Sequence, residues 1–255
     1  MSEPVAPSRL ERDDGATIAY HGMAGKSPGV IFCGGLKSDM TGTKAQALEA
    51  HCRAAGRAFL RFDYFGHGAS SGAFRDGTVG RWAEDALAVL DALTEGPQII
   101  VGSSLGGWIM LLVALARPDR VAGLVGVAAA PDFVDALWHE LDDEAKRELE
   151  TTGLIRRPSE YSDQPYEIAL KLIEEGRTQK ILDKAPLAIR CPVRLLHGMA
   201  DPDVPWHRSL DVAAAVESGD VTVTLVKDGD HRLSEPADIA RLTGAVDDLA
   251  VALGG

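Results

Sequence analysis

Cysteine is scarce in this chain: three in 255 residues, at Cys33, Cys52 and Cys191. An odd count at wide spacing gives neither a disulfide framework nor a CxxC metal pattern, and leaves reduced thiols as the expectation. Cys33 reads as a small buried hydrophobe. Positive charge is also short, with 26 Lys and Arg against 38 Asp and Glu and a net charge of −12. Without a Lys/Arg stripe such a surface repels polyanions, so no nucleic-acid partner is expected. Long apolar runs are missing. The most apolar stretch, 108–115, is too short to span a bilayer, so no stable membrane insertion is expected. The first residues, MSEPVAPSRLERDDG, have no apolar core and mix acids among their arginines, unlike a signal or transit peptide. A cytoplasmic location is the expectation from that segment.

What is there is a core. Hydrophobic residues make up 45% of the chain, enough to fold without metals or disulfides. Short apolar runs alternate with helical patterns, the signature of a parallel sheet covered by helices. Strands are expected at 29–33, 58–62, 98–101, 121–127, 193–197 and 221–226, buried on both faces, with an antiparallel edge strand at 17–21. Helices are expected at 44–55, 79–93, 105–116, 207–216 and 236–253. The rhythm breaks between the strands ending near Val127 and beginning at Val193. There Phe133, Leu137, Leu141, Ala145 and Leu149 recur at helical spacing, and a second helix is expected at 166–175. So long a connection reads as a helical cap at 129–190, inserted into a single domain spanning 1–255, because open α/β sheets bind ligands beyond the carboxyl ends of their strands.

The chemistry begins where the strand at 98–101 runs into Gly102-Ser103-Ser104-Leu105-Gly106-Gly107 and a helix follows. G-x-S-x-G between strand and helix is a nucleophile elbow. Strand and helix pass so close that the positions two before and two after the serine must lack bulk. Gly102 and Gly106 satisfy this for Ser104, whereas Val101 and Leu105 would clash around Ser103. An acid is expected after the next-to-last strand, where Arg194-Leu195-Leu196-His197-Gly198-Met199-Ala200-Asp201 supplies Asp201. Asp203 is the rival, farther from the strand end, and His197 reads as structural. A histidine is expected after the last strand, where Lys227-Asp228-Gly229-Asp230-His231 supplies His231. Ser104, Asp201 and His231 then form a triad: His231 takes the hydroxyl proton and later delivers it to the leaving group, while Asp201 orients the ring. Two backbone donors should meet the oxyanion, Leu105 N–H and, from the loop Gly34-Gly35-Leu36-Lys37-Ser38-Asp39, Leu36 N–H.

Other motifs fail on inspection. Gly25-Lys26-Ser27 lacks the first glycine of a P-loop, since that position is Tyr20. Gly66-His67-Gly68 nearly opens G-x-G-x-x-G, but the last position is Ser71, and His139-Glu140 is followed by Asp143 where a zinc protease needs histidine. No cofactor and no metal is expected.

Several stretches carry a family resemblance: SDMTGTKA (38–45), RFDYFGHGASSG (61–72), GSSLGGWIMLLVALARP (102–118), CPVRLLHGMADPDVPW (191–206) and DHRL (230–233). In these the chain resembles the α/β-hydrolase superfamily of serine hydrolases. More narrowly, it is similar to the mitochondrial α/β-hydrolase-domain enzymes that act as acyl-protein thioesterases (depalmitoylases) and as mycophenolic acid acyl-glucuronide esterases. The resemblance implies an α/β-hydrolase fold and hydrolysis of carboxylic esters or acyl thioesters through an acyl-enzyme on Ser104. The implied substrates are small acyl esters or thioesters, or an acylated protein. It departs at Gly34, Gly35 and Leu36, where the family has proline, glycine and an aromatic residue. The alternatives are a C–C bond hydrolase on the same triad, or a ligand-binding protein that kept the fold and lost turnover. Acyl length, leaving group and oligomeric state are not expected from sequence.

Overall fold

Strand side chains that alternate between two covered faces build the centre of the protein. The computed structural model describes residues 6–157 and 166–254. Along the chain run β1 (Ser8–Glu11), β2 (Thr17–Met23), β3 (Lys26–Cys33), α1 (Thr43–Ala54), β4 (Arg57–Phe62), α2 (Val79–Leu93), β5 (Gln98–Ser103), α3 (Leu105–Ala116) and β6 (Val121–Val127). They are followed by α4 (Phe133–Glu140), α5 (Asp143–Thr152), β7 (Leu154–Arg157), β8 (Tyr166–Ala169), α6 (Leu170–Thr178), β9 (Val193–Gly198), α7 (His207–Ala215), β10 (Val221–Val226) and α8 (Pro236–Ala252). Eight strands form one sheet in the order β1-β2-β4-β3-β5-β6-β9-β10. From β4 to β10 neighbouring strands are parallel, and β1 and β2 join antiparallel at one edge.

In β5, Ile99 and Val101 pack with Leu48 of α1 and Leu249 of α8, while Ile100 packs with Trp82 of α2 and Trp108 of α3. A strand apolar at every position is what a sheet with helices on both faces requires. The seven expected strands and the helices expected at 44–55, 79–93, 105–116, 207–216 and 236–253 are present, with 79–93, 105–116, 121–127 and 221–226 matching to the residue.

Four expectations need correction. Strand β2 is not the edge: β1 lies outside it, Leu10 opposite Ile18. Ser8–Glu11 is mostly exposed, so it carries little apolar alternation to announce it. Strand β10 is half-exposed rather than buried on both faces, because it is the last strand and has only β9 beside it. The apolar spacing from Phe133 to Leu149 does not mark one helix. The chain turns extended at Leu141, and Asp142 caps α5 by accepting from Ala145 N–H at 2.8 Å. Leu141 and Leu149 share one small core with Ile155, Ile168 and Ile173, which is why their spacing looks continuous. The helix expected at 166–175 starts at Leu170, since Tyr166–Ala169 is a strand with Ile168 opposite Ile155. The segment between β6 and β9 therefore holds a two-stranded sheet as well as helices. Part of it, 158–165, lies outside the described residues, as do the first five residues of the N-terminal segment.

That segment is stitched closed at its base. Asp132, just after β6, accepts from Ile181 N–H and Leu182 N–H, each at 3.0 Å. One carboxylate so joins the way in to the way out.

Candidate active site

Every predicted site residue sits beyond the carboxyl end of a strand. Ser104 joins β5 to α3 at φ 54°, ψ −117°, a left-handed backbone that a serine adopts only when its surroundings impose it. The imposing contacts are visible at the two glycines. A Cβ on Gly102 would stand 2.3 Å from Gly106 O, and one on Gly106 would stand 2.0 Å from Cys33 O. No other residue fits either place, so the turn is sharp and the serine is lifted out of the sheet.

His231, in the loop after β10, reaches Ser104 Oγ with Nε2 at 3.1 Å, and its Nδ1 meets Asp201 Oδ2 at 2.8 Å. Asp203, the rival acid, does not take that place: its N–H donates to Asp201 Oδ1 at 2.8 Å. Val204 N–H donates to the same oxygen at 2.8 Å. Burial raises the Asp201 carboxyl, but hydrogen bonds from His197, His231 and Val204 N–H outweigh it and hold the group below the usual carboxylate range.

His197 has a larger part than the sequence indicates. It is fully buried at the end of β9, and its Nε2 lies 3.2 Å from Asp201 Oδ2 and 3.0 Å from Val204 O. Both are acceptors, so Nε2 carries the proton and Nδ1 takes the Ser209 hydroxyl at 2.7 Å. The carboxylate is thus gripped by two imidazoles. In the sequence the histidine stands four residues before the acid and the serine eight after it, a spacing that forms no motif.

The loop after β3 closes the other side. An added Cβ on Gly35 would be 3.5 Å from Ser103 O and from Ser104 Cβ, so the backbone runs along Ser104. Leu36 and Leu105 both line the adjoining cavity. Among the described residues neither Leu36 N–H nor Leu105 N–H has a hydrogen-bond acceptor. The loop is tied down from β4: Asp63 Oδ1 accepts from Met40 N–H at 2.7 Å, and Arg61 donates to Met40 O at 2.6 Å.

The cavity measures about 860 Å³, within the range of small-molecule sites. Ser104 and His231 stand in its wall, and Phe133, Leu137, Leu141 and Ile168 from the segment between β6 and β9 supply apolar surface. Cys33, beside the elbow, is buried and its thiol is pushed up to about 12 by that burial, which keeps it protonated and unreactive. Donor atoms of Asp201, Asp203 and His231 lie within 4.8 Å of one another. Asp201 and His231 spend theirs on each other, so a metal there would displace the hydrogen bond that orients the ring. Among the described residues no helix is long and apolar enough to cross a membrane.

The model of the Alpha/beta hydrolase family matches residues 30–242. The chain belongs to the α/β-hydrolase family. It is 49% identical over 243 residues to palmitoyl-protein thioesterase ABHD10, mitochondrial, of Bos taurus, covering 95% of this chain and 79% of that one. Alpha/beta hydrolase domain-containing protein 10 from mouse superposes with a TM-score of 0.89 at 45% identity, over 98% of this chain and 100% of that one. A putative hydrolase from Agrobacterium vitis S4 superposes at 0.91 with 41% identity, over 97% and 99%.

These relatives correct the cytoplasmic expectation, because those of Bos taurus, Rattus norvegicus and Homo sapiens are named as mitochondrial proteins. The expectation rested on the composition of one terminal segment. A cellular address is read by receptors rather than by the fold, and an acidic surface with reduced thiols fits more than one compartment.

Proposed function

We propose that this chain hydrolyses acyl thioesters and carboxylic esters through an acyl-enzyme on Ser104. Its family and its relatives make it an ester or thioester hydrolase. The observation that carries the mechanism is the unbroken line from Ser104 Oγ through His231 to Asp201, at 3.1 and 2.8 Å, opening on a cavity with one apolar side. His231 Nε2 removes the Ser104 proton as Oγ attacks the acyl carbon. The tetrahedral oxyanion is met by the N–H groups of Leu36 and Leu105. As it collapses, His231 returns the proton to the departing thiol or alcohol. Water, activated by the same ring, then attacks the acyl-serine and releases the acid and the free enzyme. Asp201 keeps His231 in the tautomer that leaves Nε2 free to accept. Residues 129–190 act as a cap on a single domain, with Phe133, Leu137, Leu141 and Ile168 covering the acyl group. A long-chain acylated protein or peptide is the substrate class that the palmitoyl-protein thioesterase relatives favour.

The test pairs wild type with Ser104→Ala against a fluorophosphonate probe, p-nitrophenyl esters of graded length and a palmitoylated peptide. Wild type is expected to label and turn over. Ser104→Ala is expected to lose labelling and to fall by about 10⁴-fold or more in kcat. Labelling that survives in Ser104→Ala would refute the assignment.

A further inference from the structure

We propose that His67 is a positioning residue for oxyanion stabilisation: its neutral imidazole accepts the Lys37 N–H and thereby sets the direction of Leu36 N–H beside Ser104. The proposal rests on the acyl-enzyme reading above and adds to it a group that touches no substrate.

His67 lies in the loop after β4, is 3% exposed and packs edge-on against Tyr64, Phe74 and Trp82, with ring centroids 5.6, 5.2 and 5.2 Å away. Packing alone would explain a phenyl ring here. The two nitrogens need a further reason. Nδ1 stands 3.2 Å from Phe65 O, a carbonyl that also accepts from Trp82 Nε1 at 3.1 Å. A carbonyl can only accept, so Nδ1 carries the hydrogen. Nε2 is therefore the lone-pair nitrogen, and it faces Lys37 N–H at 3.1 Å. Burial pulls the imidazole down to about 4, so at neutral pH the ring keeps the form that can accept.

Peptide planarity couples Leu36 N–H to Gly35 C=O and Lys37 N–H to Leu36 C=O, so His67 acts on Leu36 N–H through the φ and ψ of Leu36 between the two planes. Leu36 stands between two rigid planes. The first contains Gly35 C=O and Leu36 N–H. Its carbonyl is held by Ser38 N–H at 3.2 Å and by the Ser38 hydroxyl at 2.8 Å, which turns Leu36 N–H the opposite way. The second contains Leu36 C=O and Lys37 N–H, and His67 holds it. Lys37 itself sits at φ 59°, a left-handed conformation that a lysine keeps only when external bonds fix it. Its ammonium lies over the Phe74 ring at 5.8 Å, and that ring meets the edge of His67. The hydrogen bond from Lys37 N–H into the His67 ring is one such bond. Without it the loop can relax, and Leu36 N–H turns away from the oxyanion.

Two variants of nearly equal shape separate hydrogen bonding from packing. Gln places a carbonyl oxygen near the position of Nε2, whereas Met has the same length and no such acceptor. Each is compared with wild type for kcat and KM on a p-nitrophenyl ester and for affinity toward a trifluoromethyl ketone, whose serine adduct carries an oxyanion. His67→Met is expected to lose about 10- to 100-fold in kcat, less than the 10²–10³ that removal of a donor costs, with KM changed by less than about twofold. Ketone affinity should fall in parallel, and His67→Gln should recover most of both. Equal losses in Gln and Met, or a loss confined to KM, overturn the proposal. In wild type, ¹⁵N-histidine NMR at neutral pH should show His67 as a neutral ring protonated at Nδ1. An Nε2–H tautomer or an imidazolium overturns the proposal even if neither variant folds. A wild type that is never acylated overturns the acyl-enzyme reading itself. A wild type that is acylated while His67→Met matches it in every constant overturns this proposal alone.

Discussion

Asp201 shows how one carboxylate can be both oriented and kept ionised. Oδ1 is spent on two backbone donors and Oδ2 on two imidazoles, so neither oxygen can rotate without losing bonds. Asp201→Asn puts an amide nitrogen that cannot accept on one of those sides, which leaves His231 in the wrong tautomer or one of the donors orphaned. A fall in kcat of about 10⁴-fold is expected, with an unchanged circular dichroism spectrum. A second buried acid sets a different prediction. Asp85, fully buried on α2, accepts from Phe65 N–H at 2.8 Å, and burial lifts its carboxyl from 3.8 to about 6. The folded value lies above the unfolded one. Its stabilising share is therefore complete below pH 3.8 and is lost as pH rises through 6. The loss amounts to about 3 kcal/mol over that window. Urea unfolding of wild type and Asp85→Asn from pH 4 to 8 should show the variant gaining on wild type as pH rises. A constant difference would mean that Asp85 does not titrate in the folded protein.

At the scale of elements, the segment between β6 and β9 depends on its base. Asp132 is itself left-handed at φ 59° and holds two buried or half-buried donors, Ile181 N–H and Leu182 N–H. Asp132→Ala orphans both, and each unsatisfied donor costs about 1–3 kcal/mol. The expected outcome is a loss of roughly 2–4 kcal/mol in urea unfolding, with proteolysis appearing first between β6 and β9. Cleavage elsewhere in the chain would show that the carboxylate is not the clasp. None of this was legible beforehand, since an aspartate after a strand reads as an ordinary turn residue. The partners lie about fifty positions on, and only the folded chain brings them together.

At the scale of the molecule, Ser104, Asp201 and His231 follow strands of the sheet, and the segment between β6 and β9 supplies apolar side chains to the cavity wall. Leu137 lines the cavity and packs with the small core of Leu141, Leu149, Ile155, Ile168 and Ile173. Leu137→Trp adds bulk to that wall while leaving Ser104, His231 and Asp201 in place. It is expected to shift the best p-nitrophenyl ester to a shorter acyl chain, with kcat on the shortest esters within about threefold of wild type. An unchanged length profile would place the acyl group elsewhere.

The linear chain by itself determined seven of the eight strands of the main sheet and most helix boundaries, and it singled out Ser104, Asp201 and His231, which the fold brings into one hydrogen-bonded line. These rest on local rules: continuous apolar runs for strands buried on both faces, and two glycines flanking Ser104 because strand and helix nearly touch there. Partners distant in sequence were decided only by tertiary structure. His197 joining His231 on one carboxylate, His67 meeting Lys37 thirty residues away, and Asp132 meeting the backbone of Ile181 and Leu182 are hydrogen bonds made by ordinary-looking polar residues. The break at Leu141 and the strand at Tyr166–Ala169 were likewise hidden, since residues of one small core keep an apolar spacing whichever element carries them. Periodicity reports which side chains are buried, and the fold alone decides what they are buried against.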